Sequence, residues 1–185
     1  MSEERRTVLA DAAIEVLADA GMRGLTHRAV DRAAGLPDGT TSAYFRTRAA
    51  LLTALVRRLV ARDQAELQAA GEATPELRTP AQLVDGLDAL NRRRLTGEGR
   101  RRSLARYACA VESVRDAELR EILVPRDNAG SAAVRAFLAS RGVADPDART
   151  RTLLACVDGL LLDHLLNGTT PSRDALEGLV AAALR

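Results

Sequence analysis

Lysine and tryptophan are absent from this 185-residue chain, and its only aromatic rings are Tyr44, Phe45, Tyr107 and Phe137. Strand-favouring runs of aromatic and β-branched residues are scarce too, whereas Ala, Leu and Arg dominate. Those are strong helix formers, so an all-α fold is expected. Two cysteines, Cys109 and Cys156, lie in apolar helical stretches outside any CxxC pair. A zinc site is not expected there, and both thiols read as buried and reduced. The longest apolar run, Leu153 to Leu166, is interrupted by Asp158 and Asp163. It falls short of the roughly 20 residues that a membrane span needs. The opening residues carry no charged-then-apolar leader, so no secretory signal is expected and the protein reads as cytoplasmic. No clustered nucleophile, paired carboxylates or phosphate-binding glycine loop appears, so an enzyme, a metal site or a cofactor is not expected. His27 and His164 lack the convergent partners of a catalytic or metal site, and they read as structural or interface residues.

What remains is an ordinary globular balance: 46% hydrophobic and 28% charged residues, which argues against global disorder. Net charge is only +2, but the excess is uneven. Through Arg62 there are ten arginines against seven acids. With no lysine, every basic side chain is a guanidinium, able to grip a phosphate with two parallel hydrogen bonds. The triplets Arg92-Arg93-Arg94 and Arg100-Arg101-Arg102 read as solvated helix faces.

Hydrophobic spacing and caps divide the chain into about nine helices. The first, over 5–20, carries Leu9, Ala13, Val16, Leu17 and Ala20 on one stripe and stops at Gly21. Thr26 caps a short helix over 27–34, Gly35-Leu36-Pro37 breaks it, and Asp38 caps another ending near Phe45. Thr47 caps a longer helix over about 48–70. Residues 71–79 form the clearest linker. Further helices are expected at 80–95, entered through Thr79-Pro80, and at 100–114, after a loop at 96–99. Another follows at 117–141, capped by Asp116 and kinked by Pro125. The last two are expected at 147–167 and at 173–184, capped by Ser172. There is no internal repeat.

The informative stretch is Thr26 to Arg48. Two short helices around a glycine turn match the helix-turn-helix plan. Val30, Ala34, Leu36, Tyr44 and Phe45 supply the apolar ladder between them. The second short helix presents Asp38, Gly39, Thr40, Thr41, Ser42 and Ala43, small or polar as suits a major groove about 12 Å wide. Arg28, Arg46 and Arg48 flank it as candidate phosphate contacts, and His27 stands near the same surface. Thr47 offers a hydroxyl and a backbone N–H to a phosphate oxygen.

Here the chain resembles the TetR family of transcriptional regulators. The matching residues are Leu9 through Gly21 (LADAAIEVLADAG), Leu25-Thr26, Ala34-Gly35-Leu36, Gly39-Thr40, Tyr44-Phe45 and Leu51-Leu52. The motif match covers about residues 5–55. The resemblance implies a three-helix DNA-binding domain over 1–47. A connecting helix and a ligand-sensing, dimerising domain would occupy 48–185. It also implies that the 38–45 helix reads bases, that Thr26 contacts the DNA backbone, and that Tyr44 and Arg48 contact phosphates, Arg48 standing where the family usually has lysine. Two residues depart from the family pattern. Ser42 replaces a frequent phosphate-binding tyrosine. Asp31 replaces a small apolar residue; either it points outward or pairs with Arg28, or packing there is imperfect.

The 147–167 helix is apolar nearly all round, which requires burial on two sides. With the stripe over 173–184 it suggests a four-helix bundle across a two-fold axis, as in that family. The candidate dimer residues are Val157, Leu161, His164, Leu165, Leu176, Leu179, Val180 and Ala183. A two-fold dimer suits a palindromic double-stranded DNA operator, with reading helices about 34–36 Å apart. A ligand pocket follows from the resemblance. Its candidate lining is Leu87, Leu90, Tyr107, Val111, Glu112, Asn128, Phe137, Cys156 and Asp158, with Asn128 and Asp158 as polar anchors or structural residues. Few aromatics imply aliphatic walls and a small lipophilic effector. The expected function is therefore a DNA-binding regulator, a repressor released by that effector. The rival is a helical dimeric protein–protein adaptor, which needs neither the threonines nor the arginines of the 38–48 segment.

Overall fold

The computed structural model describes residues 2–73, 77–123, 128–170 and 172–185. Among them there are ten helices and no strand: α1 (Glu3–Gly24), α2 (His27–Ala33), α3 (Thr40–Tyr44), α4 (Arg48–Ala73), α5 (Pro80–Leu95), α6 (Gly97–Ser113), α7 (Ala117–Leu123), α8 (Ala129–Ser140), α9 (Pro146–Asn167) and α10 (Arg173–Ala183). The helix expected over 117–141 is therefore two, α7 and α8; the kink expected at Pro125 lies outside the described residues. The expected stop at Gly21 is present as a break inside α1, where φ is +66°. The loop expected over 96–99 shrinks to Thr96, because α6 already begins at Gly97. The chain divides into two compact units, Met1–Asp63 with Arg101–Pro125 and Gln64–Arg100 with Arg126–Arg185.

In the first unit, α1 contributes Leu9, Ala13, Ile14 and Leu17 to a core completed by Val30, Phe45, Leu51, Leu55, Val56 and Leu59. Each of the leucine, isoleucine, valine and phenylalanine side chains contributes about 1.5–3 kcal/mol when withdrawn from water. The buried stripe of α1 is rotated from expectation: Ile14 is inside and Ala20 is exposed. Ala105 and Cys109 of α6 and Leu119 and Leu123 of α7 join the same core. Burial pushes the Cys109 thiol up to about 12. Ion pairs brace the helices from outside. The Asp11 carboxylate accepts from Arg58 Nε at 2.7 Å and Arg58 Nη2 at 3.0 Å, and Arg62 Nε lies 3.1 Å from it. Arg106 reaches Asp63 at 2.7 Å, and Arg101 reaches Glu15 at 2.6 Å.

In the second unit, α5, α8, α9 and α10 share a core of Leu83, Val84, Leu87, Val134, Phe137, Leu138, Leu153, Val157, Leu176 and Val180. Caps set the helix starts. Thr79 and Gln82 form a capping box ahead of Pro80, and Asn128 and Ser131 form another. Both satisfy N–H groups that a helix start leaves unpaired. Asp145 takes φ +51° and accepts from Ala148 N at 3.0 Å. Asp116 caps α7 as expected, accepting from Leu119 N at 3.1 Å. Ser172 precedes α10 without a side-chain cap bond. The α9 helix ends at Gly168 in the left-handed conformation, its N–H donating to His164 O at 2.9 Å.

Candidate nucleic-acid interface

α2 begins where the Thr26 hydroxyl accepts from Ala29 N at 3.2 Å. It ends in a Schellman turn. Gly35, at φ +65°, donates its N–H to Arg32 O, and Leu36 N–H reaches back to Asp31 O at 2.9 Å. That pattern satisfies the last carbonyls and needs a residue tolerant of positive φ. Pro37-Asp38-Gly39 then turns the chain into α3, with Gly39 as the N-cap residue at φ +92°.

Asp38 does not cap α3, contrary to expectation; it pairs with Arg28 at 3.0 Å on the surface. The cap comes from the preceding helix instead. Asp31 is fully buried. Its Oδ2 accepts from Gly39 N at 2.8 Å, and its Oδ1 accepts from Thr41 N at 2.6 Å and Thr41 Oγ1 at 2.5 Å. Asp31 thus neither points outward nor pairs with Arg28; its buried carboxylate is satisfied by three hydrogen bonds. The free N–H groups of α3 needed an acceptor, and the carboxylate supplies one with a full negative charge. Burial pushes the Asp31 carboxyl up. The Thr41 hydroxyl, the N–H groups of Thr41 and Gly39 and the nearby His27 together outweigh this and hold it below its ordinary value.

α2 holds the other end of α3 as well. His27, half-buried, places Nε2 2.7 Å from Phe45 O, the C-cap residue of α3. A carbonyl only accepts, so Nε2 carries the proton. Sequence reasoning placed His27 near DNA and Thr41 among the base readers. The structure commits both to holding α3, and Thr41 is buried.

The remaining candidates form an outward surface around α3. Ser42 is exposed beside Ala43, and Thr40, half-buried, donates its hydroxyl to Pro37 O at 2.6 Å. Tyr44 is half-buried, with the Arg6 guanidinium 6.0 Å from its ring centre and 5.3 Å from that of Phe45. Arg6 went unnoticed in the sequence because it lies a helix away. Arg46 and Thr47 are exposed, and Thr47 Oγ1 accepts from Ala50 N at 3.0 Å. Arg48 is exposed and donates to Met22 O at 2.6 Å, which closes the last turn of α1. Hydroxyls that accept at a helix start keep an O–H free to donate to a phosphate oxygen.

Of the ligand candidates, Tyr107, Val111 and Glu112 belong to the first unit and the other six to the second. Leu87 and Phe137 share the core of the second unit, and Leu90 is half-buried on α5. Asn128 spends its carboxamide oxygen on Ser131 N at 2.9 Å, so it is a helix cap. Cys156 is exposed on α9, not buried as expected, and Asp158 is exposed beside it. On α6, Tyr107 and Glu112 are half-buried and Val111 is 62% exposed.

Of the dimer candidates, Val157, Leu161, Leu176, Val180 and Ala183 face the protomer's own interior. Leu165, Leu179 and His164 are partly exposed, and His164 Nδ1 lies 2.6 Å from Thr169 Oγ1. Leu162 and Leu166 are the large apolar residues that α9 turns outward, Leu166 being 76% exposed. An all-round apolar helix reveals the need for two buried sides but not which stripe meets which. Among the described residues no helix is long and apolar enough to cross a membrane.

Two family models match the sequence. "Bacterial regulatory proteins, tetR family" covers residues 9–55, and "Tetracyclin repressor-like, C-terminal domain" covers residues 78–185. No curated protein matches. Among solved structures, the multidrug-binding protein EbrR in complex with imidazole is 28% identical, with a TM-score of 0.72 over 100% of this chain and 97% of its own. A TetR-family member from Streptomyces coelicolor A3 is 29% identical, with a TM-score of 0.74 over 98% of this chain and 99% of its own. A transcriptional regulator from Rhodococcus sp. Rha1 is 26% identical, with a TM-score of 0.75 over 100% of this chain and 94% of its own. The two-ended seating of α3, its ring of hydroxyls and guanidiniums and these matches lead to one conclusion: the chain belongs to the TetR family and is a DNA-binding, ligand-responsive transcriptional regulator.

Proposed function

We propose that two copies of the chain bind a palindromic operator as a repressor, each placing α3 in a major groove, and that a small lipophilic effector releases them. The observation that carries this is the seating of α3. Asp31 and His27 hold its ends from inside, while Ser42 and Ala43 face outward. Thr40, Ser42, Ala43 and the Gly39 backbone are assigned to base edges. Thr26, Arg28, Tyr44, Arg46, Thr47 and Arg48 are assigned to phosphates. The exposed Arg28–Asp38 pair contributes little to folding, so Arg28 exchanges its carboxylate for a phosphate at small cost.

In this reading residues 1–47 read DNA, and 48–185 sense the effector and dimerise in the cytoplasm. The outward stripe of α9, Leu162 and Leu166 with Leu165, and Leu179 of α10 would meet the same stripe of a second copy. Solved complexes of EbrR hold ethidium, proflavin and malachite green, which supports an organic effector here too. Effector binding among α5 and α9 would act through α4 on the spacing of the two reading helices. It relieves repression only if the effector prefers the DNA-incompetent spacing.

The test is titration of the protein into DNA from upstream of its own gene, with a scrambled control, at two salt concentrations. Selective binding with two protomers per site is the expected result. Equal, salt-abolished binding to both DNAs would leave only charge attraction and reject the reading.

A further inference from the structure

The buried stripe of α1 runs through Leu9, Ala10, Ala13, Ile14 and Leu17. One turn before Leu9 and Ala10, on the same side of the helix, stands Arg6. The chain thus puts a cation where the stripe leaves the core. The guanidinium carbon of Arg6 lies 5.3 Å from the ring centre of Phe45 and 6.0 Å from that of Tyr44. Phe45 is buried and Tyr44 half-buried. Arg6 therefore marks the place where the first turn of α1 meets the C-terminal end of α3.

Other half-buried arginines of this unit are matched by acids. Arg58 and Arg62 share Asp11, and Arg106 has Asp63. Among the described residues Arg6 makes no ion pair and no side-chain hydrogen bond, although Glu3 and Glu4 lie in the same turn. Attraction to a ring uses the charge of a cation and none of its N–H groups. All five N–H groups of the guanidinium therefore remain to donate. The two rings also restrict a long side chain that would otherwise lose much rotamer freedom on binding.

A planar fork of donors with a fixed positive charge matches a phosphate. The residues that follow Phe45, Arg46 and Thr47, are exposed, and the reading above assigns them to phosphates together with Tyr44. We propose that Arg6 is a further phosphate-binding residue of the DNA interface, held in place by the rings of Tyr44 and Phe45. The proposal rests on the DNA-binding reading above and adds to it a contact from the first helix. A phosphate carries no sequence, so Arg6 adds affinity for any duplex and takes no part in choosing the operator.

The test is a fluorescence-anisotropy titration of the full-length protein with operator and with scrambled DNA over a fourfold range of salt. Arg6→Met keeps apolar cover on the rings and removes the charge, so its melting curve stays that of the wild type. The slope of log K against log salt is expected to shrink by about 0.9 on both DNAs, so that over the fourfold rise in salt the variant loses about 3.5-fold less affinity than the wild type. Arg6→Lys restores the slope. Arg149→Met, the same charge change at an exposed residue of the second unit, leaves it alone. The drop persists in a Tyr44→Phe background, which keeps the ring and removes the hydroxyl.

An unchanged slope in Arg6→Met would overturn the proposal even if operator affinity fell, because a residue that only braces Tyr44 behaves in that way. A drop that vanishes in the Tyr44→Phe background, or one confined to the operator, would overturn it too. The two readings fail separately. Wild-type protein that binds operator and scrambled DNA alike rejects the operator reading, while a smaller slope in Arg6→Met still establishes the contact. Selective wild-type protein with an unchanged slope in Arg6→Met does the reverse.

Discussion

Replacing Asp31 with asparagine keeps the shape of the side chain and removes its charge. In the wild-type protein the carboxylate accepts three hydrogen bonds, from Gly39 N, Thr41 N and Thr41 Oγ1. In Asp31→Asn the amide oxygen still accepts from Thr41, but the NH2 group faces the Gly39 N–H, donor against donor. One buried N–H left without an acceptor costs about 1–3 kcal/mol. Loss of a charged cap at a helix start costs about 0.5–2 kcal/mol. The two overlap, so a total near 2–3 kcal/mol is expected in a urea melt, and Asp31→Ala exceeds it. A five-residue helix has no stability of its own, so the loss falls on the position of α3. Operator affinity by fluorescence anisotropy should drop about tenfold or more, tenfold being 1.4 kcal/mol. Binding to scrambled DNA should change far less, because the phosphate-facing arginines are untouched. The pH dependence follows from the direction of the shift. Asp31 is held below its ordinary value of 3.8, so its contribution is complete above that pH and is lost as pH falls through the lower folded value. Wild type should therefore be the more stable of the two at neutral pH, and the difference should close in acid. An Asp31→Asn protein with wild-type stability and operator affinity would refute this account of α3.

Arg46→Ala should leave the melting curve unchanged, lower operator affinity, and reduce the slope of log K against log salt by about 0.9 if one phosphate contact is lost. Asp11→Ala strips Arg58 and Arg62 of a half-buried partner and should cost about 1–2 kcal/mol in a denaturant melt, since the bidentate pair is only partly screened. Leu166→Asp should convert the proposed dimer to monomer in analytical ultracentrifugation, with helical content retained; an unchanged dimer would exclude the outward stripe of α9 as the interface. A thiol reagent at pH 8 should modify the exposed Cys156 within minutes and leave the buried Cys109, whose thiol is pushed up to about 12, untouched until the protein unfolds.

Helix positions were legible in the sequence wherever a cap and a glycine bracket a stripe, as at Thr26 and Gly35, Thr79 and Pro80, or Asn167 and Gly168. The position of α3 was legible for the same reason, together with its outward small residues. Two things were not. A cap that arrives from another helix leaves no local pattern, so Asp38 looked like the cap of α3 when the true acceptor lay at Asp31, ten residues before Thr41. An unsatisfied helix start beside an acid in an otherwise apolar position is the signal that would have found it. The phase of an apolar helix is equally hidden. α9 carries leucines on every side, so Val157 and Leu161 were assigned to a neighbour although the protomer's own core takes them.

The seating of α3 also separates what the helix says from how it is held. His27, Asp31 and Thr41 do the holding from within, and none of them is on the outward side. Thr40, Ser42 and Ala43 bear no comparable structural duty beyond one hydroxyl bond to Pro37 O. On the reading proposed above, substitutions at Ser42 and Ala43 would retune which bases are preferred and leave the bonds that seat α3 intact. On that reading new operator specificities would be reached a residue at a time, because Ser42 and Ala43 stand on a surface that takes no part in seating the helix.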